Sequence, residues 1–485
     1  MSESNQEGSK LSGFIKGGSI LVLSNVCLKA INFFLLPLYT NNLTPSMIGI
    51  SDSVTTLTGI ILPLLTMGLD SAFSAFYFEK SDPERARKAF STLTWTFLVV
   101  GCVPLFMMAA APFISDILFH TQEYAYIIRF AFISVSFNLW YLTYALELRL
   151  KNKMFLYGLS NVIVSLTMVI LNIIFVSVLH FGESSLVLST MIAHAENLLI
   201  LLFFVKMRPK RRWFDKALLK QMLKFAVPLI PTTLMIWVLS LSDRYVLLHY
   251  HGDAEVGLYG IGLRFTNLMN VVISAVSMAY TTFAFSSKED ADAKKQYYYI
   301  YNVEAFLLIG IAFTTALFGK EIVRLMTAES YGQSYLALRD LMFSQIFYAM
   351  TTIVGYGIYF EKKSVYSLIA VSAGAALNLC LNFILIPGYG ITAAALTTLL
   401  GYALNYFLTL HFSEKLYPCE YGQRRVLISL LILYAACFAG AEVALWVKLI
   451  IWTACFVGMV ILYRDLINVI AGYAANVIGR KNHEA

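Results

Sequence analysis

Charge is what this chain has least of. Only 13% of its 485 residues are Asp, Glu, Lys or Arg, about half the ~25% usual in soluble globular domains. So few charges argue against a water-soluble protein of this size. Strictly alternating segments of ~10 residues are also missing, which argues against a transmembrane barrel. The six cysteines (Cys27, Cys102, Cys380, Cys419, Cys437 and Cys455) include no C-x-x-C pair and do not cluster with histidine. Neither a metal site nor a disulfide framework is indicated, and they read as small apolar packing residues. There is no phosphate-binding loop of the Walker type and no metal-ligand spacing. Residues 1–12 are polar and lack the apolar core of a signal peptide, so no removable leader is expected.

What is present is apolar length. Hydrophobic residues make up 59% of the chain, and mean hydropathy is +0.70. They fall in blocks of about 20 or more, enough to cross a ~30 Å hydrocarbon core at ~1.5 Å per residue. Polar breaks divide the chain into about fourteen helical spans: 14–40, 46–78, 89–114, 123–149, 155–179, 185–205, 222–249, 256–286, 298–318, 334–360, 364–386, 391–411, 426–446 and 448–470. Orientation follows from the basic residues. Of 36 Lys and Arg, 28 lie in one alternate set of connections and only Lys320, Arg324, Arg339 and Lys448 in the other. The rich side is expected to be cytoplasmic, with both termini on it. The net charge of +7 is mostly this bias. The cluster "KMRPKRRWFDK" (206–216) is therefore read as a cytoplasmic anchor in contact with membrane lipids, and no nucleic-acid partner is expected.

The chain also repeats itself. The stretch "LNFILIPGYGITAAAL" (381–396) interrupts an apolar run with Asn382, Pro387, Gly388 and Gly390. Pro387 is expected to end one helix and the glycines to form a tight turn. A weaker copy, "LNIIFVSVLHFGESSLVL" (171–188), carries Asn172 and Gly182. Gly182 and Gly390 are 208 residues apart, as are Gly49 and Gly257, and Lys16 and Lys224. This predicts two six-helix halves of like orientation: an N-lobe (1–205) and a C-lobe (222–412), joined by a basic linker (206–224). Two extra helices and a tail follow (413–485). Six is even, so the halves would relate by a twofold axis along the membrane normal, an architecture that places a substrate site between repeats.

Three stretches carry a resemblance. They are "KGGSILVLSNVCLKAINFFLLPLYTNNLTPSMIGI" (16–50), "LKFAVPLIPTT…SDRYVLLHYHGDAEVGLYGIGLRF" (223–265) and "ALNLCLNFILIPGYGITAAALTT" (376–398). The chain resembles the polysaccharide and lipid-linked oligosaccharide flippases of the multidrug/oligosaccharidyl-lipid/polysaccharide (MOP) exporter superfamily. The resemblance implies fourteen helices around a central cavity and a place in the cytoplasmic membrane of a bacterium. It implies an alternating-access flippase for a prenyl-diphosphate-linked oligosaccharide, not an enzyme and without a cofactor. H+, Na+ or the membrane potential would be the driving force. A lipid II-type precursor flippase and a cation-coupled multidrug exporter are the alternatives. The outer loops are too short for the active-site domain of a polymerase or ligase.

Ionisable residues within spans mark function, because each is costly in hydrocarbon. Lys29 lies ~18 Å up span one and Arg264 ~12 Å down span eight, so both fall near mid-depth. The resemblance places both helices on the cavity. Two cations there suit a diphosphate, Arg as a fork and Lys as a point charge. The alternative is pairing with a structural carboxylate, Asp70 for Lys29, or snorkelling to an interface. Asp70 reads as a cytoplasmic gate or as that partner. Asp243 and Arg244, ~100° apart on their helix, read as an outer gate, as coupling residues or as an interfacial anchor. Arg129, His194, Glu196 and Glu304 fall on helices outside the first ring. His194 and Glu196 are weighed between ion coupling and structural pairing, with pairing preferred. Pro37, Pro63, Pro228 and Pro231 break the helical ladder where pivots would help.

Overall fold

A computed structural model of the chain describes residues 33–78, 84–286 and 292–468. Among them every regular element is helical and no strand occurs. Ten helices are long and apolar enough to cross a membrane, or eleven if the bent pair Asp253–Phe265 and Asn267–Ser277 counts as one span. The chain is a multi-pass, all-helical membrane protein. Most of the first expected span, with Lys29, lies outside the described residues.

We label the principal helices α1 (Pro45–Thr66), α2 (Leu69–Tyr77), α3 (Arg85–Val100), α4 (Ala125–Leu150), α5 (Met154–Ile173), α6 (Ser185–Phe204), α7 (Lys216–Ala226), α8 (Ile230–His251), α9 (Asp253–Phe265), α10 (Asn267–Ser286), α11 (Ala293–Leu317), α12 (Tyr335–Val354), α13 (Val365–Leu416), α14 (Gln423–Ala439) and α15 (Leu445–Leu462). Their ends follow local chemistry. Thr44 caps α1 by accepting from the Met47 N–H, and Pro45 follows it where a missing donor costs nothing. Three of the four expected prolines sit at breaks. Pro37 opens a short helix (Leu36–Asn42), Pro228 lies in the 3-10 turn between α7 and α8, and Pro231 opens α8. Pro63 lies inside α1, one turn above its end.

Two expectations about breaks need correction. Residues 46–78 do not form one uninterrupted helix. Met67 and Gly68 take left-handed backbone angles (φ 50 and 68) and separate α1 from α2. Pro387 does not end its helix either. Helical geometry passes through it, and the one non-helical residue in the 52-residue α13 is Gly390 (φ 54, ψ −134). At ~1.5 Å per residue, α13 would run ~78 Å, over twice a hydrocarbon core, so it holds two crossings joined at that glycine.

The described residues form two compact units. The first comprises 33–260 with Phe383–Ile391. Its core is a run of buried aromatics and aliphatics that includes Phe73, Phe90, Phe97 and Phe132. His194 of α6 contacts Ser134 of α4 at 2.8 Å, and Glu196 accepts from Thr167 of α5 at 3.0 Å. Both residues thus have partners within the bundle. Along one side, α1–α2 run antiparallel to α7–α8. Small residues make this possible: a Cβ on Gly59 would touch Trp237 and Leu241 of α8, and one on Gly68 would touch Ala226 of α7. Close helix approach through such residues is the usual membrane solution, because lipid offers no hydrophobic drive between helices.

The second unit comprises 261–382 and 392–468. Tyrosines are among its largest fully buried side chains. Tyr301 of α11 meets Tyr406 of α13, hydroxyl to hydroxyl, at 2.6 Å, and Asn302 donates to the Tyr421 carbonyl at 2.8 Å. The two C-terminal helices are tied in by charge. Lys448 of α15 is 1% exposed and reaches both Glu321 oxygens, at 2.9 and 3.0 Å. Asp340 of α12 is fully buried, held by two Arg339 nitrogens and by the Tyr434 hydroxyl of α14. Beyond α15, the hydrogen bonds from Arg425 hold the Asp465 carboxyl below its ordinary range.

The Lys448 pair predicts an asymmetric mutational result. Glu321→Ala strands a buried ammonium and should destabilise the protein by roughly 3 kcal/mol. Lys448→Met removes the charge instead and should cost under about 1 kcal/mol. Thermal unfolding of the purified variants in detergent checks this, and equal losses would count against it.

Candidate functional site

The antiparallel contact of α1 with α8 carries a buried polar station. Asp243 and Arg244 are adjacent on α8 but face different neighbours, as a ~100° step requires. Asp243 is 1% exposed. Its Oδ2 accepts a short hydrogen bond from the Tyr259 hydroxyl of α9, and its Oδ1 accepts the Arg244 backbone N–H at 2.9 Å. Arg244 turns instead to α1, where a guanidinium nitrogen donates to Thr56 Oγ1 at 2.9 Å. The next residue, Tyr245, donates to the Ser53 carbonyl at 3.3 Å.

Arg244 is the unusual member. Its Nε is buried and has no hydrogen-bond partner among the described residues, and the same holds for the indole N–H of Trp237 two turns below. The partner that Arg244 does have, Thr56, is neutral and 1% exposed. A guanidinium presents five donors in a planar fork, so the visible contacts leave capacity for an anion. Thr56 is eleven residues into α1, which sets Arg244 ~16 Å from the Pro45 end of that helix. That is about half the thickness of a ~30 Å core.

The other expected residues are described each in its own element. Asp70 is half-buried in the first turn of α2, just past the left-handed break. Arg264 is half-buried in the last turn of α9, two residues before the break at Thr266, in the second unit. Lys29 lies outside the described residues. The structure therefore brings together Asp243 and Arg244, and adds Thr56, Tyr259 and Trp237, which residue type alone does not single out. Each of these is an ordinary span residue until the register of α1 against α8 is known.

At their N-terminal ends α1 and α9 close on each other through glycine. A Cβ on Gly49 would lie 1.8 Å from the Asp253 carbonyl oxygen, and a Cβ on Gly257 would lie 1.9 Å from the Pro45 carbonyl oxygen. The contact is reciprocal, and each residue is paired with one 208 positions away from its counterpart. The same relation recurs at the turns. Gly182 (φ 59) sits against Met47, and Gly390 (φ 54) sits against Glu255, again 208 apart on both sides. His251 fixes the second turn by donating from Nε2 to the Ile386 carbonyl at 2.7 Å.

Known proteins share the overall fold. The fold is similar to the lipid II flippase MurJ in its inward closed conformation: TM-score 0.73, 16% identity, 93% of this chain and all of that one. It is also similar to an inward-facing multidrug resistance MATE transporter of the MOP superfamily: TM-score 0.68, 14% identity, 82% and 97%. A third solved structure, a MOP superfamily transporter from Pyrococcus furiosus described by the reverse polarity of its binding pocket, has TM-score 0.59 at 15% identity, covering 83% and 95%. By sequence, an uncharacterized membrane protein of Methanocaldococcus jannaschii is 26% identical over 211 residues. That match spans 39% of this chain and 41% of the relative's length. Residues 42–337, more than half of the chain, match the family model described as polysaccharide biosynthesis protein. With more than half of the chain matched, the chain belongs to the polysaccharide biosynthesis protein family.

Proposed function

We propose that this protein is a flippase that carries a prenyl-diphosphate-linked oligosaccharide across the cytoplasmic membrane for surface polysaccharide synthesis, without making or breaking bonds. The observation that carries the reading is Arg244, a cation with a buried, unpartnered Nε, in a chain of this family. An unsatisfied buried donor is costly unless a ligand completes it. A diphosphate supplies charge and acceptor oxygens in the geometry a guanidinium prefers. The prenyl tail would stay in lipid while the headgroup crosses between the lobes.

The mechanism is alternating access between two parallel repeats. The reciprocal glycine contact and the matched turns support a twofold relation of 1–205 to 222–412 along the membrane normal. Fourteen crossings and cytoplasmic termini fit the distribution of basic residues. Lys29 and Arg264 would flank the diphosphate path. Asp70 and Asp243 would serve gating or coupling to H+, Na+ or the membrane potential. The likeness to MurJ favours one second reading, a different prenyl-diphosphate headgroup such as a cell-wall precursor. A cation exporter fits less well, because the carboxylate at the station, Asp243, is already held by Tyr259 and by backbone.

Lipid extraction from a strain lacking the protein tests this. We expect one diphosphate-linked oligosaccharide to accumulate and a surface polymer to disappear. Unchanged lipid-linked sugars with raised sensitivity to cationic drugs would favour the exporter instead.

A further inference from the structure

The transport path makes no use of the basic segment that joins α6 to α7. This segment is built rather than loose. The Lys210 N–H donates to Ser91 Oγ at 3.3 Å, and the Asp215 N–H donates to Thr92 Oγ1 at 2.9 Å. Both hydroxyls belong to α3 and are fully buried. Asp215 then caps α7 by accepting the Leu218 N–H at 3.0 Å. Residues 210–215 are thus fixed to α3 at both ends.

The fixed turn gathers three cations around one ring. Arg87, Lys210 and Arg212 lie 5.2, 5.2 and 5.0 Å from the Trp213 ring centroid. All three side chains are exposed, and among the described residues none of them forms an ion pair. The ring's negative face offsets part of the crowding, but three like charges around one indole still repel one another. An anion between them would relieve that repulsion.

α7 extends the same character. It buries Leu218, Met222 and Ala226 on the bundle and exposes Lys216, Lys220 and Lys224 on the opposite stripe. Phe214, beside the indole, is 39% exposed. An interfacial tryptophan, an exposed phenylalanine and a row of cations are what a headgroup layer accommodates.

We propose that the Trp213 cluster is a docking site for anionic phospholipid headgroups of the adjoining leaflet. The phosphodiester would sit among Arg87, Lys210 and Arg212, with the indole at headgroup level and the Lys216–Lys220–Lys224 stripe along the charged surface. The lipid source is favoured over a free anion because the aromatic pair gives the site an apolar side that only a lipid uses.

The test places the full-length protein in phosphatidylcholine nanodiscs that contain a fixed fraction of acyl-dibrominated phosphatidylglycerol or acyl-dibrominated phosphatidylcholine. The Trp213 signal is the fluorescence of the wild type minus that of Trp213→Phe. We expect phosphatidylglycerol to quench it more strongly, as for a roughly fivefold local enrichment. The preference should vanish in Arg87→Gln/Lys210→Gln/Arg212→Gln. In the wild type, which needs no refolded variant, it should weaken in high salt as exposed charges are screened. Equal quenching by the two lipids overturns the proposal. So does a Trp213 response to millimolar inorganic phosphate in pure phosphatidylcholine discs, which would assign the site to a free anion.

Discussion

Alanine at Gly49 or at Gly257 should cut transport by about two orders of magnitude while leaving the protein folded. The added methyl would lie 1.8 or 1.9 Å from a backbone carbonyl oxygen of the opposite helix. Neither oxygen can swing aside, because each belongs to the first turn of a helix whose ladder fixes it. The helices themselves must part. In a protein that alternates between two states, that clash falls on the state closed at this end and is relieved in the other. Overpacking of this kind costs ~1–3 kcal/mol, which at the upper end is about a hundredfold in a two-state equilibrium. Two controls sharpen the expectation. Gly388→Ala meets open space at a residue without a positive φ and should transport normally. The double variant should be little worse than either single one, because both methyls act on one contact. Accumulated lipid-linked sugar, read beside the yield of monodisperse protein, is the measurement. Full transport by both single variants would sink the idea that this crossing opens and closes.

The 208-residue spacing of these glycines is visible in sequence because glycine and asparagine interrupt the apolar runs at matching positions. Gly49, Gly182, Gly257 and Gly390 announce themselves by spacing, and three of the four prolines mark real breaks. Met67 does not announce itself. A methionine in the left-handed region looks like any apolar span residue, and only the packing of Gly68 on Ala226 shows why the chain turns there. Pro387 misleads in the opposite direction. It removes one donor three residues before Gly390, where the helix is about to break anyway, so its effect is absorbed. The polar station divides in the same manner. Arg244 and Asp243 stand out as charges in hydrocarbon, whereas Thr56 and Tyr259 acquire meaning only from the antiparallel register of α1 on α8. That register is a tertiary fact, since apolar helices of similar length can slide past one another at little cost in any pattern a sequence displays.

Arg244 is where chemistry and architecture meet, and its replacement should have the other large effect. Arg244→Met keeps the length and packing of the side chain but offers no donor. If the guanidinium holds a diphosphate, its loss removes at least one charge-assisted pair worth ~1.5–3 kcal/mol, and transport should fall ~10- to 100-fold or more. Arg244→Lys keeps the charge and loses the fork, so it should fall between the wild type and the methionine variant. Thr56→Val removes the neutral partner and leaves the cation in place. It should cost transport less than Arg244→Met, although it strands another donor of the same side chain. A purely structural Arg244 predicts the reverse order. The guanidinium would then matter only through Thr56, so Thr56→Val and Arg244→Met would lower the melting temperature together and affect transport equally. Reconstituted flipping of a prenyl-diphosphate oligosaccharide, measured across substrate concentrations beside thermal unfolding, separates the two. The ligand role requires that Arg244→Met lose transport with little change in melting temperature. A burial penalty relieved by methionine could even raise it, as happens when buried charges give way to well-packed apolar groups.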